Sequence, residues 1–277
     1  MTTFKKYTPL KRVIEGKQGV NFTLINSLLS EFGVLGFEYG HSITSPHDLT
    51  IWEAQFGDFT NGAQIIVDQF IMTGEKKWLK KNNLVLLLPH GYDGQGPEHS
   101  NARLERFLMN IVDDLHQLEK DKAARGNHST RANAIIMNIT NPANFFHAIR
   151  RQINTHLRKP LVIFSPKRLL KHKLVRSEAS EFLVGSGFKR IYDETEIPHQ
   201  QVKKVLVCSG QIYFDLLEHR QKEKIQDVAI IRMEQLAPFP YNTFERVIKN
   251  YPRDAKVFWV SEEHRNFGAF DFMSPRI

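Results

Sequence analysis

Leu84-Val85-Leu86-Leu87-Leu88 runs directly into Pro89-His90-Gly91-Tyr92-Asp93-Gly94-Gln95-Gly96-Pro97-Glu98-His99-Ser100. The first five residues are apolar without alternation, the pattern of a strand covered on both faces, as in a parallel sheet. Beyond the run, Leu104, Phe107, Leu108, Ile111, Val112 and Leu115 recur at helical spacing across Asn101 to Leu115. Residues 89–100 are therefore expected to be a loop at the carboxyl end of a strand, where open α/β sheets bind ligands. Its glycines permit close backbone approach or positive φ, and Ser100 is suited to cap the next helix. A plain surface loop needs the glycines but has no use for His90 and His99.

Around this loop, strand and helix patterns alternate. Residues 1–21 form a polar, basic lead-in. Phe22–Asn26 reads as a short strand, and Ser30 can cap a helix running through Gly40. A strand over Leu49–Phe56 precedes the turn Gly57–Gly62 and a helix that aligns Ala63, Ile66, Val67 and Phe70. Residues 116–132 read as a polar surface insertion. Ala134–Ile139 and Leu161–Phe164 read as strands flanking a helix, Pro142–Leu157, opened by proline. After a weakly periodic stretch between Leu170 and Lys203, a second set follows: strands Lys204–Cys208, Val228–Met233 and Lys256–Ser261, helices Gln211–Gln221 and Tyr241–Asn250. This is an α/β chain of mainly parallel sheets flanked by helices.

Composition bounds the function. At 277 residues, 41% hydrophobic and 25% charged, the chain holds one large or two ordinary domains. The single cysteine, Cys208, excludes an intrachain disulfide and a multi-cysteine metal site, agrees with a reducing compartment, and reads as a buried structural thiol. No apolar run approaches the roughly 18 residues of a membrane span, and Met1–Lys6 lacks a signal-peptide core, so a cytoplasmic or mitochondrial-matrix location is expected. The net charge is +8, and Arg150–Arg176 carries nine Lys or Arg residues without one Asp or Glu. No nucleic-acid motif accompanies it, so a solvated basic rim is expected, without a nucleic-acid or membrane partner.

The residues that carry chemistry each have a plain reading too. Glu38, between Phe37 and Tyr39, is either a helix-surface carboxylate or one held inside, where desolvation lets it share a proton with a basic nitrogen. Trp52, Phe56 and Phe59 suit a core, and an aromatic at a strand end can also stack on a flat heterocycle. His90 and His99 lack zinc-site spacing and have no cysteine to help them, so no metal ligand is assigned. Proton transfer or hydrogen bonding to a developing oxyanion is what such a pair offers. Phosphate-binding glycine loops of the Walker and dinucleotide types are missing, as is Gly-x-Ser-x-Gly.

Gly36–Gly40, Trp52–Phe59 with Asn61–Gln64, Leu88–Ser100 continuing into Ala102–Arg106, Arg150–Gln152, Arg158–Leu161 and Glu234–Pro240 together resemble the thiamine-diphosphate-dependent first component of the 2-oxoglutarate dehydrogenase complex. The resemblance covers essentially the whole chain but only part of such an enzyme. It implies a pyrimidine-binding, transketolase-like domain over 1–172, N-terminally truncated, and a transketolase C-terminal-like domain over 173–277, C-terminally truncated. It further implies thiamine diphosphate as cofactor, with Glu38 on the aminopyrimidine nitrogen, Phe56 stacked on that ring, Phe59 beside it, and His90 and His99 facing the substrate. No Gly-Asp-Gly occurs, so the Mg²⁺ ligands would lie on a missing diphosphate-binding part. The other implied partners are a second copy of the chain and a lipoyl-carrying dihydrolipoyl succinyltransferase. The implied activity is decarboxylation of 2-oxoglutarate with succinyl transfer, absent from this chain alone. A 2-oxoadipate-preferring dehydrogenase and a non-catalytic scaffold are the alternatives.

Overall fold

The computed structural model describes residues 7–112 and 132–277. Its first half contains α1 (Pro9–Val13), α2 (Glu31–Thr44), β1 (Ile51–Glu53), α3 (Gln64–Ile66), α4 (Gly74–Trp78), β2 (Val85–Leu88), α5 (Leu104–Met109), β3 (Ile135–Asn138), α6 (Pro142–Asn154) and β4 (Leu161–Phe164). The second half contains β5 (Ile191–Tyr192), β6 (Lys204–Cys208), α7 (Ile212–Lys222), β7 (Val228–Met233), β8 (Gln235–Ala237), α8 (Tyr241–Ile248), β9 (Lys256–Val260) and α9 (Phe270–Met273).

The apolar run at 84–88 behaves as its composition requires. β2 is an inner strand whose Val85, Leu86 and Leu88 are fully buried, in a sheet ordered β1-β2-β4-β3-β8. Leu86 is level with Val162 on β4, and Val162 with Ile136 on β3, all pointing into one core. These pairings are parallel; β8 alone runs antiparallel, against β3. The second sheet, β5-β7-β6-β9, is parallel except for β5. The expected α/β architecture of mainly parallel sheets is thus present. Buried apolar residues of both sheets, Leu86 and Val205 among them, belong to one continuous cluster.

The two halves are stitched together as well as packed. β8 comes from the second half and extends the first sheet. The preceding Glu234 is fully buried and accepts the Thr140 N–H and Asn144 Nδ2, both at 3.0 Å. Asn144 lies in the first turn of α6, which Asn141 caps by accepting the Asn144 N–H at 3.0 Å. Cys208 is buried, as expected.

Several local expectations fail for identifiable reasons. Phe22–Asn26 is not a strand: it pairs with no strand among the described residues, and Leu24 and Ile25 are exposed. A run of apolar residues becomes a strand only where a neighbouring edge takes its hydrogen bonds. Ser30 does precede α2, but its side chain makes no capping bond. Ser100 does not cap α5: its hydroxyl donates to Gly96 O, while Asn101 Oδ1 accepts the Arg103 N–H at 2.8 Å. The helix expected to reach Leu115 is described only to Met109, and the insertion expected at 116–132 lies, except for Ala132, outside the described residues.

Candidate functional site at the loop after β2

Two close approaches place the loop. Gly57, just after β1, donates its N–H to Pro89 O at 2.9 Å, and a Cβ built there would come within 2.3 Å of Ala102 Cβ. Only a residue without a side chain lets this turn lie against the loop. Gly91, at φ 157°, sits under the Gln211 amide, 2.7 Å from where its Cβ would be.

The loop tip enters the second sheet's own crevice. From β6 the chain goes to β7 on one side and later returns to β9 on the other, so the strand order reverses between β6 and β9. Gln211 follows β6, Glu262 and Glu263 follow β9, and this is where a doubly wound sheet holds a ligand. Here it holds His90-Gly91-Tyr92. Glu262 Oε2 accepts from Gln211 Nε2 at 2.8 Å and from the Tyr92 N–H at 3.3 Å.

His90 is buried and both ring nitrogens are engaged. Nδ1 accepts the Ala102 N–H at 3.1 Å, so the neutral ring carries its proton on Nε2, which donates to Glu263 Oε1 at 2.7 Å. Burial alone would raise the Glu263 carboxyl; the His90 hydrogen bond and charge hold it below its usual range. Burial also opposes charge on His90, while Glu263, Glu262 and Glu105 favour it, with a net upward direction. The Ala102 N–H limits that rise, because a second ring proton would lose this bond. Burial, reinforced by Glu263, pushes the Glu262 carboxyl up.

His90, Glu262 and Glu263 bring ligand atoms within 4.8 Å of one another, the spacing of a metal centre. With its proton on Nε2, His90 has no lone pair to give there. The cluster is arranged to share protons and to hold the loop.

His99 is placed differently. Its Nδ1 lies 3.0 Å from Gln95 O, an acceptor only, so Nδ1 carries the proton and the Nε2 lone pair is free for chemistry. Its ring stacks on Phe56 with centroids 4.2 Å apart and meets Phe59 edge-on at 5.7 Å. Lys167 Nζ sits 3.5 Å from the Phe56 centroid and donates to Gln55 O at 2.6 Å. At those distances His99 and Lys167 cannot share a face of the ring without overlapping, so Phe56 is covered on both sides. Pro89 and Lys167 also wall a cavity of ≈ 380 Å³ at the carboxyl ends of β2, β3 and β4, bounded by Leu87, Ile139, Ser165 and the first turn of α6. That is the size and position of a small-molecule site.

The structure thus joins His90, His99, Phe56 and Phe59 around one loop. Glu38 stands apart on α2, half-buried, with no hydrogen bond or ion pair among the described residues, although α2 lies against the turn that follows Phe56. The sequence reading missed Lys167, Gln211, Glu262 and Glu263. Two glutamates directly after the strand-like run 256–260 were the available signal, since strand carboxyl ends are where such sheets place functional groups.

Two family models match the chain: "Transketolase, pyrimidine binding domain" over residues 3–173 and "2-oxoglutarate dehydrogenase C-terminal" over residues 176–277. The chain is 49% identical over 283 residues to a mitochondrial 2-oxoglutarate dehydrogenase of Caenorhabditis elegans, with 99% of the chain and 27% of that protein covered. A mitochondrial 2-oxoglutarate dehydrogenase of Schizosaccharomyces pombe is 45% identical over 276 residues, 98% of the chain and 27% of that protein. A probable 2-oxoadipate dehydrogenase complex component E1 homolog of Dictyostelium discoideum is 44% identical over 272 residues, 98% of the chain and 29% of that protein. The chain therefore spans about a quarter of the length of these relatives.

Proposed function

The chain belongs to the transketolase pyrimidine-binding family, with a 2-oxoglutarate dehydrogenase C-terminal domain behind it, and from that premise we propose that it forms the aminopyrimidine-facing part of a thiamine-diphosphate site in a 2-oxoglutarate dehydrogenase. The observation that carries this is the convergence of Phe56, Phe59, His90 and His99 on one loop at the carboxyl end of β2. The residues present fit the cofactor. Among the described residues, Glu38 offers a half-buried carboxylate with no competing partner, and one face of Phe56 is covered only by the flexible end of Lys167.

When bound, thiamine diphosphate supplies the electron sink for decarboxylating a 2-oxo acid. Glu38 would hold the aminopyrimidine by sharing a proton with it, Phe56 would stack on it in place of Lys167, and Phe59 would bound it. His99, with its proton fixed on Nδ1, takes and returns a proton through Nε2 at the substrate oxygen. His90 belongs to the same machinery. In the arrangement described it holds the loop between Ala102 and Glu263, and contact with substrate requires one of those two bonds to open. Mg²⁺ and the diphosphate are held by residues outside this chain, which has no Gly-Asp-Gly. The working protein is a dimer that hands its acyl group to a lipoyl-carrying succinyltransferase in the mitochondrial matrix, a reading supported by the word mitochondrial in the relatives' names.

Co-expression with the part of the Caenorhabditis elegans relative that this chain does not span tests the proposal. Decarboxylation of 2-oxoglutarate, followed with an artificial electron acceptor, is expected in the joint sample and not with the chain alone. The reading fails if the joint sample is inactive while the relative, split at the same place, turns over. A parallel assay with 2-oxoadipate separates the two substrates, which the similar identities to both kinds of relative do not.

A further inference from the structure

The fold disperses the basic run Arg150–Arg176. Lys159 pairs with Glu75, Arg168 pairs with Asp215, and Lys167 covers Phe56. Arg151 is used otherwise. Half-buried near the end of α6, its guanidinium lies 4.3 Å from the Phe188 ring, and Nη2 donates to Gln235 Oε1 at 3.2 Å. Both contacts are with neutral groups, so among the described residues its charge goes unanswered. Arg190, from the second half, lines the same cavity, and its side chain makes no hydrogen bond or ion pair among the described residues. The cavity measures ≈ 70 Å³, and Gln152, Thr155, Lys159 and Gln235 complete its polar lining, without one carboxylate.

Two guanidiniums beside one small space make an unstable arrangement unless something negative sits between them. Lys159 has Glu75; among the described residues the arginines have no equivalent. Burial, with the Arg190 charge added to it, pulls the Arg151 pKa down to about 10, as expected for a buried cation that lacks its counter-charge. The end of α6 offers little competition, because the Arg151 carbonyl is already taken by the Thr155 N–H at 2.9 Å.

We propose that the cavity between Arg151 and Arg190 binds a tetrahedral oxyanion, a phosphate group. A single guanidinium fork satisfies a planar carboxylate, whereas two forks on separate residues match an anion whose oxygens lie in more than one plane. The size agrees. At roughly 10–15 Å³ for each water-sized group, ≈ 70 Å³ takes about five to seven, room for the five heavy atoms of phosphate. A larger ligand would place its phosphate here and the remainder at the surface. Because Arg151 belongs to the first half and Arg190 and Gln235 to the second, the anion ties the halves together beside the β3–β8 pairing and stabilises the folded chain by mass action. None of this depends on the thiamine-diphosphate reading.

The test is calorimetric titration of the whole chain with inorganic phosphate, with chloride adjusted to hold ionic strength constant, beside thermal melts in both salts. Saturable binding and a phosphate-dependent rise in Tm are expected. Arg190→Gln and Arg151→Lys should each weaken binding about tenfold or more, the loss of a charge-assisted fork. Arg190 is exposed, so Arg190→Gln should melt like the parent in chloride; Lys171→Gln, outside the cavity, should leave affinity unchanged. Glutarate serves as the carboxylate arm and should bind more weakly than phosphate. Absence of saturable binding by the parent, equal phosphate affinity in Arg190→Gln, or glutarate binding as tightly as phosphate would each overturn the proposal.

Discussion

His90 Nε2 donates to Glu263 Oε1 at 2.7 Å, a bond between residues 173 apart that fastens the loop of the first sheet into the crevice of the second. Glu263→Leu leaves the His90 N–H buried and unpaired and should destabilise the chain by about 1–3 kcal/mol. Glu263→Gln, which still offers an oxygen, should cost less. Urea unfolding measures both, and a parental midpoint for Glu263→Leu would show that the bond contributes nothing.

Gly57→Ala drives a methyl group into Ala102 Cβ and Pro89 O, both under 3.0 Å from the new atom. Overpacking against backbone predicts a loss of about 1–3 kcal/mol. Thermal melts should show it, and the stacking of His99 on Phe56 should loosen with it, visible as shifted aromatic resonances.

The buried Arg220 holds Glu194 and Glu196 together. Burial alone would raise the Glu194 carboxyl; Arg220 and backbone amides pull it below its usual range. A depressed folded-state pKa means stability that is present above the unfolded-state value of about 4.3 and is lost as pH falls through the folded one. Glu194→Gln should cost roughly 3 kcal/mol at neutral pH, and its deficit against the parent should shrink below about pH 4. A deficit independent of pH would contradict the electrostatic account.

Cys208 is fully buried, its hydrogen-bond partner is the Ile231 carbonyl, and burial pushes its thiol up to about 12. Thiol reagents attack the thiolate, so labelling of the native chain should be slow and should accelerate with urea in step with unfolding. Rapid labelling under native conditions would place the thiol elsewhere.

On the proposed thiamine-diphosphate reading, Glu38→Gln in the co-expressed protein should slow hydrogen–deuterium exchange at the reactive thiazolium carbon by about 10² to 10⁴, the usual size of one acid–base contact. His99→Ala should leave that exchange near the parental rate and lower turnover. Quenched exchange read by NMR separates the two, and an unchanged rate in Glu38→Gln would remove Glu38 from the site.

The sequence by itself determined the parallel strands and the loop. Leu84–Leu88 and Leu161–Phe164 are apolar without alternation, and only a strand covered on both faces accommodates that. The position of His90 and His99 at a strand's carboxyl end followed from the same local pattern. What each histidine does was decided by the tertiary structure: His90 became a fastener because Glu263 and the Ala102 N–H reach it, and His99 kept a free nitrogen because its polar contacts among the described residues, Gln95 O and the more distant Glu98 carboxylate, both fall on Nδ1. Phe22–Asn26 had the composition of a strand but found no edge, whereas Gln235–Ala237 became one by meeting β3. Local pattern fixes which residues must be hidden, since burial is a property of each side chain. Which distant group answers a given hydrogen bond or charge depends on how the sheets are ordered, and no nearby stretch of sequence carries that information.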